Sequence, residues 1–370
     1  MFDGPPFDEL HPNALPREAV DSFAASKHGG EIWWLRTLLD ADALASVGWL
    51  RTRDWRIADI IVLPLPLGLC YKPLKVQPRF VAVLHCNPAK ALAAIRQHPS
   101  FPSASSKYLL VGTAWWLRGK RLDLGGFILG GKLPGDPSLG QRREVIVPMA
   151  SSILLASSSN PFAASSDTRP LISAFVGQMT ATKRVYEDRR RMMRAVCLPP
   201  SRKASGRHFV ASLSPLRATP TCAEDCAANL SCCNCSIDRM PPSEFARLCQ
   251  SAVFGWHAGG DTNSSNRLYD VLMAGSIPIV LGRKLTASMP FLDGPERVPW
   301  EKLVVFVEPE DLESGAAMQN IMSLVEQQPR TVLEKMRIHL NAHVSKVLWN
   351  WKPQHVAKQV LERAYVTTQE

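Results

Sequence analysis

The sequence predicts an α/β fold made of two Rossmann-like domains that face an interdomain cleft. Three observations carry this. Short apolar runs alternate with helical patterns along both halves of the chain, as in parallel sheets with crossover helices. A small, polar stretch, Ser151 to Ser159 and then Ala164 to Asp167, separates the halves. Between Ala258 and Leu281 the chain reads AGGDTNSSNRLYDVLMAGSIPIVL, a glycine loop, a helix start, a helix and a strand in succession. In a parallel sheet such a unit places a ligand beyond the carboxyl end of a strand.

The 370 residues suit two domains, and 46% hydrophobic content can fill two cores. The 22 glycines and 29 prolines leave much of the chain as loop. A formal charge of +10 suits an anionic ligand or surface. Nucleic acid is not expected, since no recognition helix, finger spacing or aromatic-interleaved basic tract is present. No run reaches eighteen apolar residues, and MFDGPPFDEL lacks the basic and apolar regions of a signal peptide. Read alone, these features say soluble and cytoplasmic.

The N-terminal domain is expected over residues 20–160. Glu31 to Ser46 is helical, with Ile32, Leu35, Leu38 and Leu39 on one side. Ile60 to Leu63 is a short buried strand entered at Asp59. Val81 to Leu84 is a second strand, and Pro88 to Arg96 an alanine-rich helix capped by Asn87. Tyr108 to Val111 is a third strand. Gly125, Gly126, Gly130, Gly131 and Gly135 predict a surface excursion, and Glu144 to Val147 a strand leading to Pro148.

The C-terminal domain is expected over 165–345, with a cysteine-rich insert at 198–236 and a last helix within 350–370. Leu171 to Val176 opens it as a strand. Ala181 to Val196 is a basic helix carrying Lys183, Arg184, Arg189, Arg190, Arg191 and Arg194. Such a run forms a solvated face, or alternatively neighbours a phosphate or an acidic acceptor. Cys222, Cys226, Cys232, Cys233 and Cys235 form either a disulfide-stapled insert, a metal knot or free thiols. Asn229 and Asn234 sit in N-glycosylation triplets, which favours disulfides and an oxidising compartment. Glu244 to Cys249 is a helix, Ala252 to Trp256 a strand, and Leu303 to Val307 another strand. Helices follow over 311–326, 331–347 and 355–365.

The loop after Trp256 is the candidate anion seat. Gly259 and Gly260 permit close backbone approach or positive φ. Ser264 or Ser265 can cap the following helix, whose first N–H groups are open to an anion. Arg267 adds a forked cation. Asp270 shares its face and can accept hydrogen bonds from sugar hydroxyls. The same residues equally describe a capped surface helix with a local Arg–Asp pair.

In order, Gly260, Asp261, Thr262, Ser264, Ser265, Arg267, Asp270, Ala274, Gly275, Ile277 and Pro278 resemble the signature of the exostosin family of glycosyltransferases, of GT47 type. The run Arg51-Thr52-Arg53-Asp54 with the strand ending at Pro64, Arg169 before the Leu171 strand, and the order Pro290-Phe291, Trp300, strand and paired helices are similar to it too. The resemblance spans most of 28–345 and is strongest over 251–325. The chain departs from it at Ser276 and at Phe254 to His257, where the family carries cysteines, and at Ser105 to Tyr108, where it carries an aspartate–histidine pair.

The resemblance implies a GT-B architecture whose C-terminal domain holds a nucleotide-sugar, UDP-linked, as donor substrate. It implies transfer to a glycan or glycoprotein hydroxyl with inversion, and a type II membrane protein of the Golgi whose anchor is absent from this chain. Donor binding then falls to Gly259, Gly260, Thr262, Ser264, Ser265, Arg267 and Asp270. With Arg267 and helix N–H groups to meet the diphosphate charge, no metal or other cofactor is expected. The base is Glu31, Asp59 or His28. Rival readings are a weakened homologue that binds glycan or stabilises a partner glycosyltransferase, a soluble α/β nucleotide-binding protein, and a basic nucleic-acid module.

Overall fold

A computed structural model describes residues 29–52, 54–63, 74–76, 79–81, 88–97, 101, 105–112, 128–131, 144–153, 162, 169–178, 186–197, 208–212, 233–236, 240–260, 265–294, 296–326 and 329–369, with 21 and 24. The chain divides into two compact units. One comprises Met1–Ser151, Ser288–Val298 and Ser345–Glu370; the other comprises Ser152–Ala287 and Pro299–Val344.

In the first unit the long N-terminal helix is split. Helices α1 (Gly30–Leu39) and α2 (Ala41–Ala45) meet at Asp40. Asp40 is extended, and its carboxylate accepts the Ala43 N–H at 2.9 Å, so it caps a new helix instead of continuing the old one. Strand β1 (Ile61–Leu63) follows. The second expected strand is displaced: β2 (Leu74–Val76) and β3 (Arg79–Val81) form an antiparallel hairpin that ends at Val81, and 82–84 lie outside the described residues. Helix α3 (Pro88–Gln97), β4 (Tyr108–Val111), β5 (Ile128–Gly131) and β6 (Glu144–Ile146) complete the series. The sheet runs β1-β4-β5-β6, all parallel.

Strand β5 corrects the reading of an excursion over 128–131; Gly125, Gly126 and Gly135 lie outside the described residues. Gly130 pairs with Val111 on one side and with Val145 on the other, inside the sheet. The apolar Ile128-Leu129 start of the strand outweighs the glycines that follow it.

The second unit is a six-stranded parallel sheet. Its elements are β7 (Leu171–Gly177), α4 (Glu187–Cys197), β8 (His208–Ser212), β9 (Cys233–Ser236), α5 (Pro242–Gln250) and β10 (Ala252–Ala258). Then come α6 (Arg267–Met273), β11 (Ile277–Leu281), α7 (Trp300–Leu303), β12 (Val305–Val307), α8 (Pro309–Glu313), α9 (Ala316–Glu326) and α10 (Pro329–His343). Strand order is β12-β11-β10-β7-β8-β9. Strands β7, β10 and β11 are buried throughout, as interior parallel strands covered on both faces must be. The range 198–236, expected as an insert, contributes β8 and β9 to this sheet. Cys222, Cys226, Cys232 and Asn229 lie outside the described residues.

Helix α11 (Pro353–Gln369) returns to the first unit and packs on α1 and β6. The segment before it is anchored by Trp349. This fully buried ring meets Trp34 edge-on at 6.3 Å, and its indole N–H donates to the Pro148 carbonyl at 2.9 Å. Asn350 donates to the Ser151 carbonyl at 3.1 Å. Among the described residues no helix is long and apolar enough to cross a membrane. Trp349→Ala is expected to destabilise the first unit by roughly 3–5 kcal/mol, the cost of emptying a large buried aromatic site. Urea unfolding followed by tryptophan fluorescence measures it.

Candidate functional site

In the second unit the chain leaves β7 toward β8 and β9, then comes back to place β10 on the other side of β7. Connections on either side of that pair run in opposite directions. A crevice therefore opens beyond the carboxyl ends of β7 and β10, where ligands of doubly wound sheets bind. Strand β10 ends at Ala258 and delivers Gly259 and Gly260 to this edge.

Helix α6, which follows the loop, is held at both ends. At its start Asp270 is wholly buried and its oxygens take four donors. Oδ1 accepts the Ser152 N–H at 2.7 Å and the Ser152 hydroxyl at 2.8 Å. Oδ2 accepts from Asn266 Nδ2 at 2.8 Å and Arg267 Nη1 at 2.9 Å. At its end Gly275, with φ of 70°, closes a Schellman turn: Ser276 N–H reaches the Val271 carbonyl at 3.1 Å and Gly275 N–H the Leu272 carbonyl at 3.0 Å. Two buried arginines receive the remaining carbonyls. Arg169 donates to Ala274 O at 3.1 Å, Ala252 O at 2.8 Å and Ser276 Oγ at 2.9 Å. Arg337 donates to Gly275 O at 3.1 Å and Phe162 O at 3.2 Å. Burial first, then the neighbouring Arg337, lowers Arg169 to about 10, still charged at neutral pH.

Arg267 lies over the Phe245 ring at 4.7 Å and pairs with Asp270, so its guanidinium has a fixed plane. Its remaining N–H groups have no protein acceptor among the described residues. One expectation changes here. The helix begins at Arg267 with Asn266 as its N-cap residue, and the Ser265 hydroxyl accepts the Arg267 N–H at 3.4 Å. The Asp270 carboxylate is directed at Ser152, Asn266 and Arg267.

Gly259 and Gly260 do not take positive φ. Close approach is what they provide, and the group that approaches is Arg189. Its Nε donates to Gly259 O at 2.7 Å, Nη2 to Ala258 O at 3.2 Å and Nη1 to Gln178 O at 3.0 Å. Arg189 is buried and lies against the rings of Phe175 at 5.5 Å and Tyr186 at 5.1 Å. Elsewhere on α4 the arginines pair with glutamates, and Lys183 and Arg184 lie outside the described residues. Arg190 and Arg194 pair with Glu187, and Arg191 with Glu313. Arg189 shares its stripe with buried Met192 and Val196, so an arginine at a core position was the signal for it.

Thr262, Ser264 and His28 lie outside the described residues. Glu31 is buried in the first turn of α1. Asp59 is exposed and precedes β1, at the amino edge of the first sheet. Arg51 donates to Leu39 O, and Asp54 pairs with Arg56. No three His, Cys, Asp or Glu side chains gather as a metal requires among the described residues. Cys249 is a free, buried thiol pushed up to about 12 by burial and then by Asp270.

His257, fully buried on β10, has an Nδ1 with no hydrogen-bond partner. Burial, and then the Arg189 charge, push it down to about 3 from an ordinary 6.5. Between those values the unfolded chain binds a proton that the folded chain refuses. Stability is therefore expected to fall as pH drops below about 6.5, by roughly 1 kcal/mol per pH unit. Urea unfolding at a series of pH values measures this, and His257→Gln flattens the dependence.

Residues 126–323 match the family described as "Exostosin GT47 domain". No curated protein matches the chain. Among solved structures it is similar to an α,α-trehalose-phosphate synthase (UDP-forming) from Burkholderia xenovorans in complex with glucose-6-phosphate, at 14% identity and TM-score 0.36, over 97% of this chain and 84% of that one. It is also similar to the glycotransferase of kitacinnamycin, at 11% identity and TM-score 0.32, over 92% of this chain and 85% of that one. Both scores are too low to bear on the chemistry.

Proposed function

The chain belongs to the exostosin GT47 family of glycosyltransferases, and on that footing we propose that it moves a sugar from a UDP-linked donor to a hydroxyl of a glycan or glycoprotein, with inversion and without an obligatory metal. The proposal includes a GT-B arrangement, with the donor on the second unit, and residence in the Golgi lumen. A partner glycosyltransferase belongs to the same reading.

The observation that supports it best is Arg267. Phe245 and Asp270 fix its plane, and the rest of its fork has no acceptor among the described residues. A diphosphate leaving group needs fixed positive charge at the moment its negative charge grows, and a pre-aimed guanidinium supplies that without reorganisation. The backbone N–H groups of Gly260 and Ser265 are proposed as further donors, and the resemblance assigns Gly259, Thr262 and Ser264 to the same loop.

In the transfer, a base takes the proton of the acceptor hydroxyl. The acceptor oxygen then attacks the anomeric carbon from the face opposite the diphosphate. As the new C–O bond forms, the bond to the diphosphate breaks, and the diphosphate departs against Arg267. Glu31, Asp59 and His28 are the carriers proposed for that proton.

Calorimetric titration with a panel of nucleotide-sugars tests the donor site. The wild type is expected to bind one nucleotide class, and Arg267→Ala to weaken it at least about tenfold. Unchanged affinity removes Arg267 from the mechanism. Glu31→Gln is expected to leave donor affinity intact while transfer falls by about a hundredfold or more, the usual share of a general base. Donor binding with no turnover by the wild type makes the chain the weakened homologue.

A further inference from the structure

Resting on that donor-site reading, we propose that Arg189 is the positioning residue that shapes the donor loop, fixing how the chain leaves β10 and turning the Gly260 N–H toward the diphosphate. It arrives from α4, about seventy residues before the loop it holds.

In a planar trans peptide the C=O and the next N–H point in opposite directions. Arg189 Nε binds the Gly259 carbonyl at 2.7 Å, so the Gly260 N–H of the same peptide faces away from the guanidinium. Arg189 Nη2 binds the Ala258 carbonyl at 3.2 Å, so the Gly259 N–H points to the other side of β10, where Ala258 pairs with Leu281 of β11. The Gly260 amide is the first donor past the sheet, and Arg189 fixes its direction through the Gly259 carbonyl.

The third arm ties the loop to the sheet. Nη1 binds the Gln178 carbonyl at 3.0 Å, so one fork bridges the ends of both strands at the crevice. Tyr186, stacked on the guanidinium, donates its hydroxyl to Gln178 Oε1 at 2.9 Å. A lysine carries the charge but not the planar fork, so it cannot hold three carbonyls in fixed directions. Gly260 is the matching half of the device. A Cβ there would stand 2.6 Å from Arg189 Nη2 and 3.3 Å from its Cζ. Any side chain at 260 pushes the guanidinium out of place.

The test is UDP binding by calorimetry on the wild type, R189K, G260A, the R189K/G260A double variant and R267A, each with its melting temperature. R189K and G260A are each expected to weaken UDP about tenfold or more while staying folded at the assay temperature. In the double variant the second change is expected to cost less than about twofold, because the displaced fork is already gone. Wild-type affinity in R189K overturns the inference, as do losses that multiply in the double variant or that track the unfolded fraction. If R267A loses UDP and R189K does not, the donor reading stands and this inference alone fails. If the wild type binds no UDP, both fail.

Discussion

A buried carboxylate survives only where donors replace the water it has lost, and Asp270 has four. They come from Ser152, Asn266 and Arg267, so one side chain joins the segment after β6 to the start of α6 and aims the arginine above Phe245. Removing one partner from such a group leaves the other charge stranded, typically at a cost of about 3–5 kcal/mol. The other end of α6 obeys the same rule with the signs reversed. Its terminal carbonyls face inward and are met by Arg169, Arg337 and the Gly275 turn. A seven-residue helix has little intrinsic stability. Its position is set by these charged clamps and by the buried strands on either side.

Much of the sheet framework was legible in the sequence. Tyr108–Val111, Leu171–Gly177 and Ala252–Ala258 are apolar runs of strand length, and they are strands. Local composition misled where it conflicted with register. Gly130 and Gly131 read as loop, yet Gly130 pairs with β4 and β6 and Gly131 with β6. Cys233–Ser236 has no apolar pattern because it is an edge strand, joined to β8 alone through a register shift at Val210 and Ala211. At the candidate site, Gly259, Gly260, Arg267 and Asp270 were visible as a cluster, but not their division of labour. Asp270's partner Ser152 is 118 residues away, and no local pattern announces a pairing of that range. Arg189 was hidden in plain view among the arginines of α4, distinguishable only by its place on the apolar stripe.

The basic character of the chain also divides into two kinds of charge. On α4, Arg190 and Arg191 are half-buried and Arg194 exposed, each beside a glutamate, and the exposed pair adds little to stability. Arg169, Arg189 and Arg337 are buried and spend their donors on backbone carbonyls at strand and helix ends. Those carbonyls would otherwise be buried and unsatisfied, which is costly. Inside the second unit, arginine serves as backbone mortar, and this is a use of positive charge that net-charge arithmetic does not register.

Helix α11 and the Trp349 anchor also bear on biosynthesis. A ribosome releases its product from the amino terminus onward. The first unit emerges early, but α1 and β6 cannot be covered until residues 345–369 follow. Throughout translation of the second unit, the Trp34 face of the nascent polypeptide is left bare and adhesive. The order of synthesis thus imposes a holding period that lasts until residues 345–369 have been made.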